Sequence, residues 1–128
     1  MYHRIGFIYG LTQIGKSEPL IEYAHRQNSE QHKKCIYIEM PSGGHKGLFV
    51  RKLSAELGFS SAGRGASEQI AITDAFTPNM LLIVDEFQRC FRGSKPRVET
   101  IDFIREIFNE SKCAIMLCGT HEAEEGLD

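Results

Sequence analysis

A run of residues near the start of the chain has the types and spacing that hold phosphate. It matches the pattern G-x-x-x-x-G-K-[ST] and consists of Gly10, Leu11, Thr12, Gln13, Ile14, Gly15, Lys16 and Ser17. The glycines allow a tight turn whose backbone N–H groups point at one anion, beside the positive end of a following helix. Lys16 supplies a charge for the β- and γ-phosphates, and Ser17 offers a hydroxyl to Mg²⁺. The run therefore predicts a site for ATP or ADP with Mg²⁺.

Two adjacent carboxylates form a second candidate site. Asp85 and Glu86 follow residues 80–84, the most apolar run of the chain, which is typical of a strand buried on both faces. In a sheet that carries a phosphate loop, such a strand ends beside that loop. Asp85 is then placed to hold Mg²⁺ through water, and Glu86 to orient or deprotonate an attacking water. The pair favours an ATPase that activates water, because nucleoside kinases and GTPases mostly have no need of the second carboxylate.

A third candidate is the hydroxyl of Thr120, which follows the apolar run 113–118. If this strand lies beside the strands that carry the phosphate loop and the acidic pair, the hydroxyl at its end would lie near the γ-phosphate and report its presence. A Thr after a strand is also common as a helix cap or a turn former, so that alternative stays open.

The elements that must position these residues follow from the spacing of apolar residues. Strands are predicted at 5–9, 34–39, 80–84 and 113–118. Helices are predicted before Gly58, weakly over 68–76, and over 99–109 after a basic loop. This alternation predicts an α/β fold with a parallel sheet and helices on both faces.

Composition agrees with one ordinary globular domain. The chain has 128 residues, of which 41% are hydrophobic, and a formal net charge of −2, which argues against a protein that coats nucleic acid throughout. A leader segment and an apolar run of about 18 residues are both missing, which predicts a cytoplasmic protein without membrane contact. The four cysteines show no C-x-x-C pairing, so a zinc site is not expected.

The chain resembles the AAA+ ATPase domain of transposition helpers from transposons and transposable phages, and of ExeA-type secretion ATPases. The resemblance rests on the phosphate loop and on three further runs, at 37–41, 82–88 and 117–122. It implies a P-loop NTPase three-layer sandwich over residues 1–128, with the last strand and the C-terminal lid missing. It also implies that β-strand order places the Thr120 strand between the two strands that carry the other motifs.

The same resemblance assigns roles to the candidate residues. Lys16 and Ser17 bind nucleotide and Mg²⁺, Asp85 is the Walker B metal carboxylate, Glu86 is the catalytic glutamate and Thr120 is the first sensor. Lys16, Glu86 and Thr120 are accordingly the expected catalytic residues. Slow hydrolysis is expected of the chain alone, because a trans-acting arginine would be missing.

Basic residues suggest which kind of macromolecule the ATPase binds. Positive charges follow the second strand and the acidic pair, and the candidates for contact with duplex phosphates are Lys46, Arg51, Arg89, Arg92 and Lys95. With the resemblance, they predict a homo-oligomer that assembles on double-stranded DNA and assists a transposase. The alternatives are a nucleotide-dependent protein-interaction switch, such as a secretion-associated or STAND-like regulator, and a P-loop small-molecule kinase.

Overall fold

A computed structural model of the chain describes residues 5–9, as backbone, and residues 34–59, 66–91 and 95–119. In these ranges one sheet contains β1 (Ile5–Tyr9), β2 (Cys35–Glu39), β3 (Leu81–Asp85) and β4 (Ala114–Gly119). Neighbouring strands run parallel, in the order β1-β4-β3-β2. β4 therefore lies between β1 and β3, which confirms the predicted strand order.

The described part of the chain adds three α-helices to this sheet: α1 (Lys46–Leu57), α2 (Ala66–Ala75) and α3 (Val98–Ser111). α1 ends where the sequence predicts, because Gly58 adopts a left-handed φ of 84° and donates its N–H to the carbonyl of Ala55. α3 ends in a similar way at Lys112, whose φ is 59° and whose N–H bonds to the carbonyl of Phe108. Two short 3-10 helices, Ser42–Gly44 and Phe87–Phe91, follow β2 and β3.

The main core lies on one face of the sheet, under all three described helices. Side chains alternate along each strand, so every second residue of β2, β3 and β4 points to this face. Phe49 of α1 and Phe103 of α3 meet there edge to face, with ring centroids 6.4 Å apart. Other buried members of this core are Ile36, Ile38, Leu53, Ile72, Leu82, Val84, Ile104, Ile107, Ile115 and Leu117.

The second face of the sheet is buried as well. Cys35, Ile83 and Cys118 form a smaller cluster there, with Tyr37 and Met116 packed against it. β3 is thus buried on both faces, which confirms the reading of its apolar run. The α/β fold with a parallel sheet is confirmed, and the described helices form one outer layer of the predicted sandwich.

The chain after β3 differs from the basic loop that the sequence predicts. Phe87–Phe91 is a 3-10 helix, because Phe87 and Cys90 are fully buried and hold the segment against the core. The rings of Phe87 and Phe91 meet edge to face at 5.6 Å. The basic residues of this segment suggested a solvated loop. Burial of Phe87 and Cys90 instead determines where the segment lies. Boundaries shift slightly elsewhere: α2 begins at Ala66, and α3 runs on to Ser111.

Candidate active site

The carboxyl ends of the four strands lie level with one another along one edge of the sheet. Tyr9, the last residue of β1, pairs with Gly119, the last residue of β4. Glu39, at the end of β2, pairs with Asp85, at the end of β3. Because β1 and β3 flank β4, their ends are two strand spacings apart, or about 10 Å. Ligands of open parallel sheets bind at this edge.

Several predicted site residues fall outside the described ranges. The phosphate loop, residues 10–17, follows β1 directly in the chain, and Thr120 follows β4 directly. Of the predicted DNA contacts, Arg92 is also outside. The predictions for these residues stay predictions. The acidic pair and the remaining basic residues are described, and their geometry follows.

Asp85 is a buried carboxylate, with 2% of its surface exposed. Its Oδ2 atom accepts a hydrogen bond from the Tyr37 hydroxyl at 2.6 Å, and its Oδ1 atom accepts one from the backbone N–H of Glu86 at 2.9 Å. Strand alternation puts Asp85 on the same face as Ile83, the face opposite the main core. Short hydrogen bonds to a carboxylate fix its orientation, as a metal site requires.

The surroundings of Asp85 fit a contact with Mg²⁺ through water. A carboxylate has about four acceptor positions, so the bonds from Tyr37 and Glu86 account for only part of its capacity. Mg²⁺ at phosphate sites keeps several waters and takes only one or two protein oxygens. Within the described ranges, no cluster of three His, Cys, Asp or Glu side chains forms a metal cage. A single buried carboxylate of this kind suits a metal that keeps most of its waters.

Glu86 begins the turn after β3 in an unusual backbone conformation. Its φ is 58°, in the left-handed region, which costs a residue with a Cβ about 1–2 kcal/mol. Its side chain is also largely buried and accepts a hydrogen bond on Oε2 from Gln88 Nε2 at 3.0 Å. Arg89 Nη2 lies 3.4 Å from the same oxygen. The two carboxylates of the acidic pair thus leave β3 in different directions and have different partners.

Arg89 joins the ends of β2 and β3. Its Nη1 atom lies 2.8 Å from Glu39 Oε1 and donates to the carbonyl of Met40 at 2.7 Å. With the approach to Glu86, this guanidinium contacts both strand ends at once. The predicted DNA contact by Arg89 remains a prediction, but in this structure its donors serve contacts within the chain.

The turn after β2 is pressed against the 3-10 helix that carries Gln88 and Arg89. Gly44 has a φ of 66°, and a Cβ built on it would lie 2.9 Å from the Cα of Cys90. Thr100, at the start of α3, donates its hydroxyl to the Gly44 carbonyl at 2.6 Å. Arg97 donates its Nε to the Gly43 carbonyl at 2.8 Å and its backbone N–H to Cys90. The 3-10 helix Phe87–Phe91 is therefore held both by the turn after β2 and by Arg97, just before α3.

Lys46 and Arg51 lie on α1 and face a surface depression of about 320 Å³ between the helices. Glu68 and Glu99 line the same depression, so the local charge is mixed. Lys46 also places its ammonium 5.8 Å from the centroid of the Phe103 ring. Lys95 is exposed. The structure thus brings Lys46 and Arg51 to one surface, together with opposite charge.

The cysteines are packing residues rather than reactive groups. All four are buried, and none of them forms a disulfide. Burial raises the pKa of the Cys35 thiol to about 11, and it raises the pKa of Cys90 to about 12 against the opposing charge of Arg97. Thiols with such pKa values stay protonated at neutral pH and are poor nucleophiles.

Sequence reasoning did not assign roles to Tyr37, Gln88 or Glu39, although all three touch the acidic pair or its partners. Tyr37 could have been found from register, because β2 and β3 are parallel neighbours and Tyr37 shares a sheet face with Asp85. Gln88 lies in the run 82–88 on which the resemblance rests, but the resemblance gave it no role. Its burial depends on the 3-10 helix, which the basic residues concealed.

A parallel sheet in this strand order, with a buried acidic pair at its carboxyl edge, defines an α/β domain of the nucleotide-binding P-loop class. The family model described as AAA domain matches residues 1–127, so the chain belongs to that family. Its function is of the nucleotide-binding ATPase type. No curated protein matches the chain. Among the described helices, none has the length and apolar character needed to cross a membrane.

Proposed function

We propose that the chain binds ATP with Mg²⁺ and hydrolyses it at the carboxyl edge of the sheet. The observation that carries the proposal is the different setting of Asp85 and Glu86. Asp85 is fixed by Tyr37 and a backbone N–H on the face opposite the main core, whereas Glu86 turns away into a separate contact with Gln88. Neighbouring carboxylates in different surroundings are suited to different tasks.

In the proposed reaction, the oxygen of a water molecule attacks the γ-phosphorus of ATP. The bond from this phosphorus to the bridging oxygen of ADP breaks, and the Glu86 carboxylate accepts the proton that the water loses. Residues 10–17 bind the phosphates, with Lys16 and Ser17 in the roles that the resemblance implies, and Thr120 senses the γ-phosphate. Mg²⁺ would neutralise phosphate charge, and Asp85 would hold it through water.

The test measures nucleotide binding and single-turnover hydrolysis with protein in excess over ATP. Lys16→Ala removes the phosphate-binding charge, so we expect it to lose most nucleotide affinity in calorimetry on folded protein. Glu86→Gln keeps the shape of the site without its base, so we expect wild-type affinity and loss of hydrolysis. Equal affinity of the wild type and Lys16→Ala would refute the nucleotide site. Hydrolysis by Glu86→Gln at the wild-type rate would refute the base.

We propose further that the domain acts as a homo-oligomer on duplex DNA, as a helper of transposition. The support is the resemblance to transposition helpers and the presence of Lys46 and Arg51 on one surface of α1. Binding through phosphates is insensitive to sequence and falls steeply with salt, because counterions are released. We expect Lys46→Glu with Arg51→Glu to lower DNA affinity and to leave ATP affinity unchanged. Fluorescence anisotropy with ATP at low salt measures both effects.

One observation favours a second candidate, a nucleotide-dependent protein-interaction switch. Glu68 and Glu99 share the depression with the two cations, and such mixed charge suits a protein surface better than a polyanion. The double charge reversal distinguishes the two candidates. Duplex binding that is undetectable in the wild type, or unaffected by the reversal, would favour the switch.

A further inference from the structure

Gln88 is a buried polar side chain whose contacts point to a role in the proposed reaction. None of its surface is exposed, and its Nε2 atom donates to Glu86 Oε2 at 3.0 Å. Its Oε1 atom is buried and has no hydrogen-bond partner within the described ranges. An unsatisfied buried acceptor costs about 1–3 kcal/mol, so a glutamine here disfavours folding relative to an apolar residue of the same size. Packing alone does not explain this residue.

The orientation of the Gln88 amide follows from its partner. An ionised carboxylate only accepts hydrogen bonds, so the NH₂ group of Gln88 must face Glu86. The amide oxygen is consequently turned away from Glu86. The unpartnered acceptor is therefore a consequence of the contact with Glu86.

The backbone brings Gln88 back over Glu86. The left-handed φ of Glu86 starts the turn, and Phe87, which is fully buried, anchors the 3-10 helix that follows. The N–H of Arg89 closes this turn on the carbonyl of Glu86 at 3.1 Å. The segment is held from outside by the close approach of Gly44 to Cys90. The position of the Gln88 side chain is thus determined by packing rather than by solvent.

Within the described ranges, the two side-chain contacts of Glu86 fall on the same oxygen. Gln88 Nε2 and Arg89 Nη2 approach Oε2, at 3.0 Å and 3.4 Å respectively. Arg89 is the weaker of the two, because 27% of its side chain is exposed and its shorter contacts go to Glu39 and Met40. Gln88 is therefore the side chain that sets the rotation of the Glu86 carboxylate.

We propose that Gln88 is a positioning residue for Glu86. By holding Oε2, it directs Oε1 to the attacking water, so that Oε1 is the atom that accepts the proton. This inference rests on the proposed function, in which Glu86 is the base. It adds which oxygen of Glu86 reacts and which side chain orients it.

The first experiment reads the contact without any nucleotide. In protein labelled with ¹⁵N-glutamine, the side-chain NH₂ signals of Gln88 and Gln69 are recorded for the wild type and for Glu86→Ala. We expect the Gln88 signals to move, because their charged acceptor is removed, and the Gln69 signals to stay. Gln88 signals that do not respond to Glu86→Ala would overturn the contact and the proposal with it.

The second experiment compares hydrolysis by Gln88→Met, which keeps the length of the side chain and removes the donor. We expect kcat to fall about 10- to 100-fold, with nucleotide Kd within twofold of wild type, because the base is misplaced and the binding site is untouched. Phe91→Leu is the control, since it loosens the same 3-10 helix through the Phe87 ring and leaves the donor of Gln88 in place. It should keep kcat within about threefold.

The split between kcat and Kd is the readout that a general loss of structure would not give, because a loosened site loses nucleotide affinity as well as turnover. Gln88→Leu also removes the donor and gives the same comparison where Gln88→Met does not fold. Equal losses of kcat and of nucleotide affinity in the folded variant would overturn the proposal.

The outcomes separate this inference from the proposed function. Wild-type kcat in Gln88→Met, or an equal loss of kcat in Phe91→Leu, would overturn the positioning role while an inactive Glu86→Gln still supports hydrolysis. Wild-type turnover that does not exceed the Lys16→Ala background would instead contradict hydrolysis itself. A loss of kcat in Gln88→Met that is absent from Phe91→Leu, with nucleotide Kd unchanged, supports the assignment.

Discussion

The turn after β2 gives a quantitative prediction, because three glycines on or near α1 differ in backbone φ and in the space that a Cβ would have. Gly44 has a φ of 66°, and a Cβ there would lie 2.9 Å from Cys90 Cα and 3.0 Å from the Arg89 carbonyl oxygen. Gly58 has a φ of 84° and open space around it. Gly47 lies within α1, has open space and no positive φ. Alanine at each position separates the cost of conformation from the cost of contact.

The magnitudes follow from these geometries. Gly58→Ala carries the conformational cost alone, about 1 kcal/mol of unfolding free energy. Gly44→Ala adds a clash with two backbone atoms, which flexible side chains cannot relieve, so we expect a total loss of about 2–4 kcal/mol. Gly47→Ala should be neutral or stabilise by up to about 1 kcal/mol, because alanine is the better helix former.

Urea unfolding followed by circular dichroism measures all three variants against the wild type. A change of 1 kcal/mol corresponds to a Tm shift of roughly 3–5 °C for a domain of this size, so the three outcomes are well separated in a thermal melt as well. Gly44→Ala that is no less stable than Gly58→Ala would show that the turn does not approach Cys90 in solution. The packing argument for the position of Gln88 would then fail with it.

Three further predictions concern the acidic strand end and the buried thiols. Asp85→Asn should weaken Mg²⁺-dependent ATP binding and spare Mg²⁺-independent binding; calorimetry with and without EDTA decides, and equal Mg²⁺ dependence would refute the metal role. Tyr37→Phe removes the hydrogen bond to Asp85 and should weaken Mg²⁺-dependent binding about three- to tenfold, an effect that must vanish in an Asp85→Asn background. Burial raises the pKa of Cys90 to about 12, so above pH 9 the unfolded chain loses a proton that the folded chain keeps, and stability falls. The stability difference between wild type and Cys90→Ala should therefore narrow from pH 9 towards pH 12 in urea unfolding, and a difference independent of pH would contradict it.

The sequence predicts the sheet and its helices well where the apolar pattern is strong. β1 matches its expected bounds, and α1 ends at Gly58 as expected, because a glycine in the left-handed conformation stops a helix by local geometry alone. α2 is displaced at its start, since its sequence has little amphipathic pattern and tertiary contacts decide its bounds. The strand order followed from the resemblance; propensity and spacing do not encode which strands become neighbours.

The candidate site also contains residues that local sequence predicts and residues that only the tertiary structure reveals. Asp85 and Glu86 were found from their place after an apolar strand, which is local information. Tyr37 and Glu39 were missed because they come from another strand, and only the parallel pairing of β2 with β3 brings them to the pair. Gln88 was missed because its burial requires the 3-10 helix, and Phe87 and Cys90 determine that helix through the core.

Several energetically unfavourable features of the described residues lie beside Glu86. Glu86 is one of two residues other than glycine with a positive φ in the described ranges, and the other, Lys112, is explained by the end of α3. Gln88 holds the one buried side-chain atom of these ranges without a partner. Gly44, where a Cβ would lie 2.9 Å from Cys90 Cα, presses on the same 3-10 helix. Such costs persist where the surroundings impose them, and they are typical of functional sites. They therefore support a site at Glu86 on grounds independent of the sequence motif.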